Sequence, residues 1–392
     1  MVCHLITSEY PPQAGGVSDY THLVATGLAS AGDEVHVWCP SAESEKADAA
    51  GREATSPAGV FVHRALGRFT PADLRRAGRQ LDQFPAPRRL LVQWVPHGYG
   101  YQSMNLPFCL WLWHRAARHR DVVEVMIHEP YLAFGEGSWK QSGVAVVHRL
   151  MTMVLLKATR RVWMSIPAWE ACWRPYTLGR TLPFQWLPVA SNIAVVDDPE
   201  GVSAIRARYA SAGEQIVGHF GTYDRHIAGL LLKSVPALLR DCAGCVLLLM
   251  GRGSEAVRDE LTGAHPELSG RVHATGALAA RDLSLRISAC DVLIQPYIDG
   301  VNSRRTSVMV GLSHGVPIVT TSGRLTEPLW GESGAIALAP VEDVTALVDT
   351  THRLLSDEAG RRHMSVVGRA LYDERFDVRR TIAALREAAT GV

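Results

Sequence analysis

Two arginines, Arg304 and Arg305, stand among the hydroxyl residues Ser303, Thr306 and Ser307 in the stretch NSRRTS (302–307). The stretch follows an apolar run, DVLIQP (291–296), and opens a helical pattern that begins near Ser303 and extends to about residue 314. A helix N-terminus presents unpaired N–H groups and the positive end of the dipole, so it favours an anion. Cations there cost a few tenths to about 1 kcal/mol each when unpaired. Guanidinium groups bind phosphate in a bidentate way, and hydroxyls add donors. These residues therefore read as a phosphate cradle, with a structural salt bridge from Asp299 as the other account of the charges.

Similar chemistry recurs at other strand ends. Gly15 and Gly16 follow the apolar run VCHLIT and precede a helix that begins near Ser18, as in a loop where backbone N–H groups approach a phosphate. No GxGxxG fingerprint accompanies them, so a plain strand–helix loop fits equally well. Arg225, in FGTYDRH (220–226), occupies the corresponding place in the second half and is suited to reach a phosphate, with His226 beside it, or else is a solvated loop charge. Gly251 and Gly276 each close a strand, which suits either close ligand packing or a simple turn. His128 and Glu129 follow VVEVMI, and His97 lies just past LLVQWV, so the histidines suit a polar wall that meets sugar hydroxyls, with a structural role as the other account of a lone histidine. Tyr20, Tyr99 and other aromatics nearby fit either stacking on an acceptor or filling a core.

The elements that would position these residues alternate apolar strands with helical stretches, the pattern of parallel α/β sheets. In the first half, strands are expected at 2–7, 34–40, 90–95, 122–127 and 161–166, with a helix over about 17–31. PVASNIAVVDDPEGV (188–202) breaks the periodicity and reads as a linker. A second series follows, with strands at 215–221, 245–251, 272–276, 291–296, 317–321 and 335–340, and helices near 229–240, 279–290, 304–314 and 342–355. The implied organisation is two doubly wound Rossmann-like domains, 1–190 and 191–372, and a C-terminal helix over 373–392 that packs back towards the first. Ligands of such sheets lie at the carboxyl ends of strands, and here two such ends are expected to face each other across a cleft.

Bulk properties agree. At 392 residues, two domains are the default, and a formal net charge of +1 gives no signal for nucleic acid. The N-terminus lacks the features of a signal peptide and no run of about 18 uncharged apolar residues exists, so a cytoplasmic protein is expected. The apolar stretch 143–158 reads as a core helix, with peripheral membrane contact left open. Seven scattered cysteines suggest no disulfide framework, and Cys242 and Cys245 are expected as buried small residues flanking a turn.

The whole chain resembles the GT-B retaining glycosyltransferases of the family-4 type. The resemblance rests on PPQAGGVSDYTHLVATGLASAGDEVHVWCP, IHEP, SIPAWEACWRPYTLGR, VGHFGTYDR, LLLMGRGSE, VHATGALAARDLSLRISACDVLIQPY and GLSHGVPIVTTSGRLTEPL, in that order. It implies metal-independent transfer of a sugar from a nucleotide-diphosphate-sugar, with retained configuration and no further cofactor. The acceptor is left open between a sugar, a lipid-linked molecule and a small natural product. On this resemblance His128, Arg225 and Arg304 are the catalytic candidates. Gly15, Gly16, Thr222, Gly251, Gly276, Asp299, Asn302, Ser303, Arg305, Thr306, Ser307 and Glu327 form the donor side, and Tyr20, His97, Tyr99 and Glu129 the acceptor side. The family's two glutamates, with seven residues between them, align with Asn302 and Val310, and its GR…K segment with Thr222 and Arg225 or His226. Those departures admit an alternative, a degenerate GT-B protein that binds sugar-nucleotide or a partner without transfer. An epimerase or phosphorylase is a further rival; a phosphorylase would need a pyridoxal lysine, and Lys233, the only lysine of the second domain, falls mid-helix.

Overall fold

The computed structural model describes residues 1–41, 57–134 and 139–390; residues 391–392 of the expected C-terminal helix lie outside them. The chain forms two units, Met1–Pro188 with Val378–Val392, and Val189–Asp377.

The first unit carries β1 (Val2–Ile6), α1 (Gly16–Ser30), β2 (Glu34–Trp38), β3 (Val60–His63), α2 (Pro71–Leu81) and β4 (Arg89–Trp94). It continues with α3 (Leu106–Arg118), β5 (Val122–Ile127), α4 (Trp139–Ala158), β6 (Thr159–Met164), α5 (Ala168–Trp173) and β7 (Phe184–Trp186). Its seven strands are ordered β3-β2-β1-β4-β5-β6-β7 and pair in parallel. Central strands are buried on both faces, as in LLVQW of β4, because helices cover each side of a doubly wound sheet. Local signals place the helices: Thr70 and Asp73 form a capping box at α2, and Pro71 supplies the preset φ of its first residue.

The second unit contains α6 (Pro199–Tyr209), β8 (Gln215–Phe220), α7 (Arg225–Asp241), β9 (Cys245–Met250), α8 (Ser254–Ala264), β10 (Val272–Ala274) and α9 (Ala280–Ser288). It closes with β11 (Val292–Gln295), α10 (Thr306–Ser313), β12 (Ile318–Ser322), α11 (Pro328–Glu332), β13 (Ala337–Pro340), α12 (Val344–Ser356) and α13 (Glu358–Leu371). The order of its six parallel strands is β10-β9-β8-β11-β12-β13. A π-turn at Tyr372–Phe376 precedes α14 (Val378–Thr390). That helix packs on α1, where Gly27 leaves room for Ile382 and Arg386 reaches the buried Asp33 at 3.1 Å.

The strand order reverses between β1 and β4 in one unit and between β8 and β11 in the other. In doubly wound sheets the loops on either side of such a reversal leave in opposite directions, and ligands bind at the carboxyl ends there. Most candidate residues lie in these loops and in the one after β5, while Gly251, Gly276 and Glu327 follow β9, β10 and β12.

Three expectations change. Cys242 and Cys245 are joined in a disulfide between the end of α7 and the start of β9, instead of standing as two free thiols. The C-terminal helix expected over 373–392 begins only at Val378, because a π-turn at Tyr372–Phe376, where Tyr372 and Phe376 take buried positions, separates it from α13. Residues 189–196, read as linker, bond to the second unit, with Val196 donating to Ser284 Oγ at 3.0 Å. Among the described residues no helix is long and apolar enough to cross a membrane.

Candidate functional site

In the first unit, α1 begins at Gly16 with Gly15 as its cap residue and no hydrogen bond from that residue's side, since it has none. The Glu9 carboxylate fills the role, accepting from the Ser18 N–H at 2.9 Å. A Cβ on Gly15 would fall 2.2 Å from Glu9 Oε1, whereas one on Gly16 would meet nothing within 4 Å. A side chain at Gly15 would have to displace the chain's own Glu9 carboxylate, whereas Gly16 faces open space.

The loops after β4 and β5 bring His97, His128 and Glu129 together. His128 is buried and its Nε2 lies 2.8 Å from the Oε1 of Gln93 on β4. Tyr20, on α1, sets its ring edge-on to His128 at 4.8 Å between centroids. His97 Nδ1 stands 3.4 Å from Glu129 Oε2, and both side chains are more than two-fifths exposed at 59% and 44%. Tyr99 is different: it is wholly enclosed, stacked on Phe108 and Trp94, and its hydroxyl donates to the Gln93 carbonyl. Its aromatic surface fills the core and offers no acceptor platform, which corrects the expectation for that residue.

In the second unit, α7 starts at Arg225, four residues before the expected start, because Asp224 caps it by accepting from His226 N at 2.7 Å and Ile227 N at 3.0 Å. Thr222 and Arg225 are exposed. Arg225 Nε donates to His226 Nε2 at 3.2 Å. Gly251, at φ +113°, would place a Cβ 2.4 Å from the Gly221 carbonyl, and its N–H donates to the Gly276 carbonyl at 3.1 Å. Gly276 in turn donates to Ser254 Oγ at 3.0 Å. These glycines are used by loop-on-loop backbone packing, so close ligand approach is not what requires them.

The arginine stretch departs most from expectation. The helix begins at Thr306, not near Ser303, and its cap residue, Arg305, makes no side-chain capping bond. Ser303 is buried and fully engaged: its N–H and Oγ donate to the Glu327 carboxylate at 3.0 and 2.5 Å, and its carbonyl accepts from Val189 N at 3.0 Å. Asn302, also buried, turns the chain by accepting from Arg304 N at 3.2 Å. Ser303 and Asn302 therefore hold the loop's shape and are not available as phosphate donors. Glu327 is likewise an internal partner, accepting also from Trp330 Nε1 at 2.6 Å. Burial raises its pKa, opposed by the hydrogen bonds from Ser303 and Trp330.

Beyond Ser303 the cations remain. Arg305 lies over the ring of Tyr297 at 4.4 Å, and the Tyr297 hydroxyl meets Ser307 Oγ at 2.7 Å. Desolvation, then the neighbouring Arg304, lowers the Arg305 pKa, while Tyr297, Asp299 and Asp224 act the other way. Asp299 pairs chiefly with Arg324 at 2.9 Å and only loosely with Arg305 at 3.9 Å. Thr306, half-buried, opens the helix beside them. The structure thus gathers Asp299, Arg304, Arg305, Thr306 and Ser307 at the carboxyl end of β11, with Asp224 of the β8 loop near enough to act on Arg305. Sequence reasoning passed over Tyr297, Arg324, Gln93, Glu9 and Asp224, each of which fixes a candidate residue or caps a helix. For Asp224 the signal is present, an acid immediately ahead of a helix; Glu9 lies seven residues before α1 and carries no such signal.

Among the described residues no cluster of three His, Cys, Asp or Glu is placed to hold a metal ion.

Two parallel sheets with reversal points of this kind define an α/β protein of the GT-B architecture. Residues 214–357, the core of the second unit, match the family of glycosyl transferases group 1. No curated protein matches the chain. Among solved structures, sucrose-phosphate synthase from Thermosynechococcus elongatus is 17% identical, with a TM-score of 0.73 over 100% of this chain and 98% of that one. HepE from Anabaena, solved with UDP and glucose, is 15% identical with a TM-score of 0.68 and 99% of both chains covered. WaaG, a glycosyltransferase involved in lipopolysaccharide biosynthesis, is 14% identical with a TM-score of 0.67 over the whole of both chains.

Proposed function

We propose that this protein is a glycosyltransferase that moves a sugar from a nucleotide-diphosphate-sugar to an acceptor hydroxyl, with retention and without a metal. The observation that carries the reading is the Arg304–Arg305 pair at the start of α10, whose cap residue provides no side-chain bond, inside the segment that matches the glycosyl transferases group 1 family. In the reaction, the bond between the anomeric carbon and the β-phosphate oxygen breaks. The acceptor oxygen bonds to the same face of that carbon, and its proton passes to the departing phosphate. Negative charge grows on the diphosphate as it leaves, and preorganised cations lower the barrier to that charge. Arg304 is assigned this role, with Arg225 as second cation and the helix start behind them. Thr306, Ser307, Gly16 and Thr222 are the remaining donor-side assignments; Asp299 stays with them as the residue that orients Arg324 and Arg305. His128 is assigned to the hydroxyls of the transferred sugar, and His97 and Glu129 to the acceptor; Tyr20, buried edge-on against His128, holds that ring in place and offers no acceptor platform. HepE bound UDP and glucose in its crystal, which favours a uridine donor among the possibilities.

A second reading, binding without transfer, draws on one observation: Val310 is wholly buried in α10 and offers no hydrogen bond to a ribose. A thermal-shift screen of UDP-, GDP-, ADP- and TDP-sugars addresses both. Stabilisation by one donor together with slow release of its sugar to water or to an added acceptor is the expected result. Stabilisation with no release over long incubation would favour the binder, and no stabilisation by any donor would remove both readings.

A further inference from the structure

The outer face of the α3–α4 pair does not fit the role of a solvated helix surface. The inner faces are accounted for: Phe108, Cys109 and Leu112 of α3, and Met151, Leu155 and Leu156 of α4, are buried in the first unit. Outward, however, α3 exposes Leu110 and Trp113 to 41% and 43%, and α4 exposes Trp139, Val146 and Leu150 to 80%, 48% and 42%. Helical spacing puts Leu110 with Trp113 on one stripe, and Val146 with Leu150 on another that continues to Lys157. Lys157 joins the two stripes, its Nζ lying 5.5 Å from the centre of the Trp113 ring. At the far end of α4, Lys140 lies 5.8 Å from the ring of Trp139.

Charge on the pair is one-sided. The 13 residues of α3 and the 20 of α4 contain no aspartate or glutamate, in a chain that has 39. Lys140, Lys157 and Arg118 are exposed on it, and neither helix supplies an acid to pair them.

We propose that the α3–α4 face docks on a lipid bilayer bearing anionic headgroups. Apolar side chains enter the headgroup boundary, while the tryptophans and lysines sit at its polar edge, an arrangement that suits helices lying in the plane of a membrane. The attraction is shared between burial of this apolar area and the basic residues. A second copy of the chain fits less well, because a two-fold contact on this face would set lysines against lysines and neither helix supplies an acid to stand between them. The inference stands apart from the donor-site reading, since no residue of that site takes part.

The test is co-sedimentation of the full chain with vesicles of phosphatidylcholine alone and of phosphatidylcholine with 30% phosphatidylglycerol, a composition chosen to give about the charge of an anionic leaflet. Binding to the charged vesicles, with a blue shift of tryptophan emission and release at about 0.5 M salt, is expected. Lys140→Glu with Lys157→Glu weakens binding about tenfold or more, and Trp113→Ser with Leu150→Ser does likewise. Val366→Ser, on another exposed apolar residue of the second unit, leaves it unchanged. All of these positions are exposed, so melting temperatures stay near that of the parent chain. The proposal is overturned if the parent does not bind the charged vesicles, if the variants bind as tightly as the parent, or if the parent is a dimer that the variants convert to monomer.

Discussion

The starts of α1 and α10 follow strands at the reversal points of their sheets, yet they handle the helix dipole in opposite ways. At α1 the Glu9 carboxylate bonds the Ser18 N–H directly, so the positive end is met by the chain itself, with Gly15 and Gly16 at the turn. At α10 the carboxylate is set back before the helix. Glu327 bonds Ser303, 24 residues earlier in sequence, and leaves Arg305 as an uncapped cap residue. The start of α7 resembles α1, since Asp224 caps it and Arg225 stands on an already satisfied turn. Of these three starts, α10 alone combines cations with a helix end not met by a side chain, and that decides which loop is assigned the leaving diphosphate. An acid near a helix start therefore has to be judged by which N–H it reaches. On the first turn it competes with a ligand; one turn earlier it builds the loop that presents the ligand's partners.

The sharpest way to break this contrast is to remove Glu327. Three donors, Ser303 N, Ser303 Oγ and Trp330 Nε1, would lose their acceptor in a largely buried place. Bonds to a charged acceptor contribute about 1.5–3 kcal/mol each but do not add independently, so Glu327→Ala is expected to cost about 3 kcal/mol of unfolding free energy. Urea unfolding checks it, and a loss below about 1 kcal/mol would mean that Glu327 does not hold the loop. The pH dependence has a definite sign. Burial raises the folded pKa above 4.5, so the stability contributed by the protonated form is greatest below pH 4.5 and declines as pH rises through the folded value. Glu327→Gln removes that decline.

The strands were legible because a buried parallel sheet demands near-continuous apolar runs, as in CVLLLM and RLLVQW. The two that escaped, Val60–His63 and Phe184–Trp186, are edge strands of four and three residues, too short and too exposed for periodicity to register. Site residues could be placed at strand ends for the same topological reason. What could not be read was which partner each one faces. Ser303 looked like a free donor because Glu327 lies on another loop, and Tyr99 looked like a binding aromatic because nothing local marks it as enclosed. One clue stood in TEPLW: glutamate is a poor cap residue, so at the cap of α11 its carboxylate was free to serve another turn. Asp121 makes the same point, since the two buried arginines it binds, Arg88 at 2.6 Å and Arg115 at 2.5 Å, come from β4's approach and from α3.

A smaller effect separates the cations of the two capped and uncapped starts. Arg304→Ala removes charge from the uncapped helix, and loss of a charge-assisted bond to diphosphate is worth about 1.5–3 kcal/mol, or roughly 10–100-fold in affinity. Arg225→Ala removes a cation from a start already satisfied by Asp224, so its loss is expected to be several-fold at most. Calorimetric titration with the nucleoside diphosphate and with the nucleoside compares them. Equal losses for nucleoside and diphosphate on Arg304→Ala would make that arginine structural.

The smallest change in stability is expected at Gly16, and it bears most directly on whether α1 has any role in donor binding. Gly251 provides the contrast: at φ +113° with a carbonyl 2.4 Å from any Cβ, Gly251→Ala strains the backbone and drives two loops apart, at a cost of about 2–3 kcal/mol. Gly16 has neither constraint, since a Cβ there meets nothing within 4 Å and the residue is the first of a helix. Gly16→Ala is therefore expected to leave stability within about 1 kcal/mol of the parent, on the stabilising side, because alanine restricts the unfolded chain. If the space in front of it belongs to a phosphate, the same methyl group weakens diphosphate binding while the protein melts at or above the parent temperature. A variant that is more stable and binds equally well would leave α1 as a self-capped helix and confine the diphosphate to the cationic start of α10.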